Sequence, residues 1–89
     1  MSDIWDYLGR RSRILRRGIL MSSRATNKFS ELCPELSEKL GIGVSGWGSR
    51  WIIWFPFTKR DEEEIIRKLR ELNIPHKVYI SIPGPEYIE

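Results

Sequence analysis

The sequence predicts an α+β domain: a small sheet made from a β-hairpin and a β-α-β crossover, packed with one main helix and one or two N-terminal helices. Three observations carry that expectation. Ile65, Ile66, Leu69 and Leu72 recur at helical spacing behind a capping threonine, Trp51 to Phe55 is a run of strong β propensity, and His76 to Ile82 alternates apolar with polar residues. Eighty-nine residues provide for one core.

At the N-terminus, Asp3 is placed to cap a helix and Asp6 falls in its first turn, where a negative charge suits the helix dipole. Ile4, Tyr7, Leu8, Ile14 and Leu15 lie near 3.6-residue spacing, with Arg11 interrupting the stripe, so the helix is expected to reach about Met21. Gly9 and Gly18 are its weak points, each costing about 1 kcal/mol relative to Ala. The small and polar residues from Ser22 to Asn27 read as a linker. Residues 1–27 are thus expected to form a basic helix and linker, and residues 28–89 the compact domain.

Phe29, Leu32, Leu36 and Leu40 then repeat at three- and four-residue steps, with Pro34 suited to a first helical turn and Gly41 to a stop after Leu40. A hairpin follows, with strands near Ile42 to Trp47 and Trp51 to Phe55 and a turn at Gly48 and Ser49. Thr58 caps a helix from Lys59 to about Leu72, with Asp61 in the capping-box position. Glu63–Arg67, Glu64–Lys68 and Arg67–Glu71 stand at four-residue spacing on its polar face, and Asn73 and Pro75 end it. In the last strand Val78, Ile80 and Ile82 share one side, and Pro83-Gly84-Pro85 stops it ahead of a frayed end. Strand, helix and strand joined by short connections imply a right-handed crossover and a parallel pair.

Composition limits the chemistry. Cys33 is the single cysteine, so the chain can form no internal disulfide and no cysteine-rich zinc site, and a reducing, cytoplasmic setting is expected. The longest apolar stretch, Trp51 to Phe57, is too short to span a bilayer, and arginines break every apolar run before Ile19. The Arg- and Ser-rich, acid-free stretch from Arg10 to Lys28 also fits an organelle transit sequence. Charged residues make up 30% of the chain, with no Gln and two Asn, a bias expected of thermophile proteins.

Net charge is +3, but residues 1–30 alone hold seven Lys/Arg against two Asp. Within them Arg10, Arg11, Arg13, Arg16, Arg17 and Arg24 form a dense source of phosphate contacts, and they are the expected nucleic-acid-binding residues. With no sequence-reading element in view, binding is expected to be non-specific. The competing readings are a solvated face, an anionic membrane surface, or a protein-interaction and assembly module. In the last, the arginines dock on an acidic partner and the Trp-rich strand closes a homodimer.

The remaining motifs favour structural roles. Gly41-Ile42-Gly43-Val44-Ser45-Gly46 matches G-x-G-x-x-G, yet a helix precedes it and a strand follows, the reverse of a dinucleotide fingerprint. Trp47, Trp51 and Trp54 beside Arg50 suit a core or an oligomer interface, or a base-stacking platform. His76 has no second histidine, Cys33 has no partner base, and Glu62, Glu63 and Glu64 fan around a helix as a solvated face. No catalytic constellation, cofactor or metal site is expected.

Overall fold

The computed structural model describes residues 13–45 and 50–88. Along the chain run β1 (Arg13–Ser22), α1 (Ser23–Leu32), α2 (Pro34–Ser37), β2 (Ile42–Ser45), β3 (Trp51–Phe55), α3 (Lys59–Glu71) and β4 (Lys77–Pro85). The strands form one sheet in the order β2-β3-β1-β4, and every neighbouring pair is antiparallel. This is an α+β fold whose β-α-β-β-α-β order with a split crossover is the ferredoxin-like arrangement. β3 and β4 both oppose β1, so they run parallel to each other, but β1 lies between them where a directly bonded parallel pair was expected.

The larger correction concerns β1 itself. Arg13 to Ser22 is a strand, not the second half of a helix, and it occupies the middle of the sheet. Its β-branched Ile14 and Ile19 suit a strand, and both of its edges find partners. The portion of the expected first helix at residues 1–12 lies outside the described residues, as does the hairpin turn at residues 46–49. The expected division at residue 27 gives way, because residues 13–22 pair with β3 and β4. The expected linker at Ser22 to Asn27 is instead the start of α1, with Ser22 Oγ accepting from the Ala25 N–H at 3.0 Å.

One face of the sheet meets the helices. Ile19 and Met21 of β1 are fully buried against Ala25, Phe29, Ile65, Ile66 and Leu69, with Trp54 and Val78 packed alongside. α3 matches its expected start and stop. Thr58 Oγ1 accepts from the Asp61 N–H, while Asn73, at φ 56°, turns the chain so that the Ile74 N–H reaches the Leu69 carbonyl in a Schellman-type cap. The ion pairs on its outer face differ from the expected set: Glu64 meets Arg60 and Glu71 meets Lys68.

β4 departs from simple alternation. Arg16 pairs with Ile82 and Gly18 with Tyr79, so Ile80 and Ser81 together oppose Arg17 in a bulge. The extra residue reverses the side-chain phase. Val78 faces the helices, while Ile82 falls on the opposite face, where its Cδ1 would lie 2.6 Å from a Cβ on Gly18. Ile80 is left 78% exposed, so the expected single stripe of Val78, Ile80 and Ile82 is split. Pro83 to Pro85 continue the strand instead of stopping it, which an edge strand permits because its outer N–H groups need no partner.

Candidate functional site

Of the six arginines expected to contact phosphate, the four described ones do not stay together. Arg10 and Arg11 lie outside the described residues, and Arg13 opens β1 opposite Pro85. Arg16 and Arg17 are drawn toward α3, and Arg24 stands exposed on α1.

Arg16 is buried, 3% exposed, which removes it from any set of phosphate contacts. Its Nη1 donates to the Pro85 carbonyl at 3.0 Å, and its Nη2 donates to the Pro56 carbonyl at 2.6 Å and to Glu62 Oε1 at 3.3 Å. The guanidinium also lies over the Tyr87 ring, 4.0 Å from the centroid, and near Phe55 at 5.3 Å. Gly84 makes room for this stack, since a Cβ there would sit 2.7 Å from the Phe55 ring.

Glu62 is correspondingly not on a solvated face. It is fully buried at the start of α3, where it accepts from Arg16 and, at 2.7 Å, from the Tyr87 hydroxyl. Arg17 Nε lies 2.5 Å from Glu62 Oε2 as an ion pair without hydrogen-bond alignment, and Arg17 Nη2 reaches Glu63 at 3.5 Å. Burial raises the Tyr87 phenol above its ordinary pKa of 10.0, and the hydrogen bond to Glu62 and that carboxylate's charge raise it further. The expected frayed end is therefore tied in, with the Ile88 N–H also donating to the Phe57 carbonyl at 2.6 Å.

A different cationic surface lies at the junction of β1, α1 and β3. Arg24 and Lys28, one helical turn apart on α1, and Arg50, just before β3, line one open depression with Ser22, Ser23, Asn27 and Glu31. All three cations are exposed, and among the described residues no carboxylate lies within ion-pair distance of them. The backbone beneath is fixed by two bonds to the Arg50 carbonyl, from the Ser23 N–H at 2.8 Å and from Ser23 Oγ at 3.2 Å. Three positive charges against Glu31 make this a place where an anion is favoured.

Sequence reasoning placed Arg24 among the phosphate contacts, named Arg50 only beside the tryptophans as part of a possible base-stacking platform, and missed Lys28 as a site residue. The four-residue spacing of Arg24 and Lys28 signals a shared face only once α1 is known to be a helix. Arg50 joins them through tertiary contact. A second depression, beside α3, places Arg17, Arg67 and Arg70 among Glu63 and Glu71 and is nearly balanced in charge.

The other motifs serve the fold. Gly41, at φ 82°, lies where a Cβ would strike the Phe55 carbonyl, and the Trp54 ring covers Gly43. His76 Nδ1 lies 2.8 Å from the Ile74 carbonyl and so must carry the proton in that bond. Cys33 closes α1 through its N–H to the Phe29 carbonyl. Among the described residues no three His, Cys, Asp or Glu converge on a metal position, and no helix is long and apolar enough to cross a membrane. Comparison of the chain with protein-family models, with curated proteins and with solved structures finds no match.

Proposed function

We propose that the chain binds nucleic acid without sequence preference, holding phosphates at the surface formed by Arg24, Lys28 and Arg50. The observation that supports this reading is the convergence of three exposed cations, free of ion pairs among the described residues, on one depression. Guanidinium groups match phosphate oxygens in planar, paired hydrogen bonds, and the lysine adds a mobile point charge. Ser23 and Asn27 supply neutral polar groups at the same place. Arg10, Arg11 and Arg13 belong to the proposal as further phosphate contacts from the same basic end of the chain. Arg16 and Arg17 do not, because Glu62 and Glu63 already neutralise them. The test is a binding titration over a range of salt, with Arg24→Ala/Lys28→Ala/Arg50→Ala compared to the unaltered chain. Weaker binding with a shallower salt dependence is expected.

A second reading, an assembly module, draws on Leu15 and Ile80, which are 69% and 78% exposed on neighbouring strands. A homodimer closed over these side chains would be broken by Ile80→Lys. Light scattering of the two proteins at equal concentration decides it: a dimer that becomes a monomer supports this reading, and a monomer in both cases removes it.

A further inference from the structure

We infer that the depression of Arg24, Lys28 and Arg50 takes a terminal phosphate monoester together with the linkage next to it, so that nucleic acid is held best by a phosphorylated strand end. The inference rests on the phosphate-binding reading above and adds the ligand class to it. Arg24 and Lys28 come from one turn of α1 and Arg50 from the residue before β3, yet all three line the same depression. The Ser23 N–H and Oγ both bond the Arg50 carbonyl, which keeps these two cation-bearing segments together.

The cationic surface is also bounded. Glu31 stands on its rim, one helical turn past Asn27, and α1 has no base in its last turn. The chain beyond carries exposed Glu35 and Glu38 against a single base, Lys39. A strand laid along α1 past Lys28 would bring its phosphates toward these carboxylates, and the repulsion opposes that path. A groove that tracks a long backbone needs cations at successive phosphates, whereas here they are gathered at one place. Each internal linkage brings one negative charge, and successive linkages spread their charge over successive nucleotides. A terminal monoester brings close to two charges near neutral pH, on three acceptor oxygens of a single group. A monoester and its neighbouring linkage therefore match three gathered cations, and internal linkages alone bind more weakly.

The experiment is an anisotropy titration at low salt with oligothymidine of one length bearing hydroxyl ends, a 5′-phosphate or a 3′-phosphate, labelled at the end away from the phosphate. A hydroxyl-ended strand one nucleotide longer is the control for added charge. The full chain is compared with Arg24→Ala/Lys28→Ala/Arg50→Ala, and thermal melts establish that both are folded. The unaltered chain is expected to bind a phosphorylated strand about ten-fold more tightly than the hydroxyl-ended strand, the effect of one added charge-assisted contact. The longer hydroxyl-ended strand should bind like the shorter one, and the triple variant should bind phosphorylated and hydroxyl-ended strands alike. Thymidine monophosphate, equimolar with the strand, should leave it bound, because it lacks the neighbouring linkage. Equal binding of phosphorylated and hydroxyl-ended strands by the unaltered chain overturns the strand-end inference and leaves the phosphate reading standing. A preference that survives in the triple variant overturns it as well, and displacement by equimolar thymidine monophosphate overturns it in favour of a free phosphate ester. Absence of binding to every probe overturns both readings.

Discussion

Glu62 receives two arginines and a tyrosine from both ends of the described chain, and this one carboxylate joins β1, α3 and the C-terminal segment. Burying charge costs several kcal/mol even when it is paired, so such a cluster contributes more to a unique arrangement than to net stability. Here it fixes where the end of β4 and Tyr87 lie. Because the folded state raises the Tyr87 pKa, the neutral phenol is the form it favours. The contribution of that group is full below pH 10.0 and is lost as pH climbs through the raised folded value. Tyr87→Phe should therefore cost about 1.5 kcal/mol near neutral pH, and the gap to the unaltered protein should close above pH 10.0. Urea melts of both proteins across alkaline pH check this, and a gap that persists unchanged would contradict it. In sequence Arg16 and Arg24 look alike, and Glu62 looks like Glu63. What separates them is a contact across 46 positions, which local patterning does not encode.

Elements defined by a single period were legible, and those whose pattern is shared or broken were not. α3 has a pure helical stripe with a cap at each end, and its observed limits agree with the reading to within a residue. β1 misled because Ile14, Leu15, Ile19 and Leu20 satisfy a helical spacing as readily as a strand with side chains on both faces. A buried arginine and a glycine in alternate positions of β1 further blurred the strand signal. β4 misled in phase, through the bulge at Ile80 and Ser81, and in length, because Pro83 to Pro85 continue it along the sheet edge. Gly41 was read as a helix stop, and the positive φ behind that role makes it sensitive to substitution. Gly41→Ala should lower stability by at least about 2 kcal/mol, from left-handed strain and from the collision with the Phe55 carbonyl. A denaturation midpoint unchanged by Gly41→Ala would show that this turn is not under the constraint described.

For the molecule as a whole, the placement of β1 decides what can be removed. A fragment beginning at Phe29 lacks the strand between β3 and β4, which leaves β4 without a partner and exposes the Ile65–Leu69 face. It should show no cooperative unfolding, and a sharp melt from that fragment would contradict the topology. The fold class was legible because helix and strand periods alternate in the chain, but the ferredoxin-like order hosts many unrelated functions and does not name one. The candidate site was legible as an excess of charge toward the N-terminus and not as a set of residues, because folding turns Arg16 and Arg17 toward Glu62 while it gathers Arg24, Lys28 and Arg50. The most direct test of this account is the slope of log affinity against log salt for single-stranded nucleic acid, measured for the unaltered chain and for Arg24→Ala/Lys28→Ala/Arg50→Ala. Loss of three phosphate contacts should make the slope shallower by roughly two units. An identical slope in the two proteins would contradict the account, as would no binding by the unaltered chain at low salt.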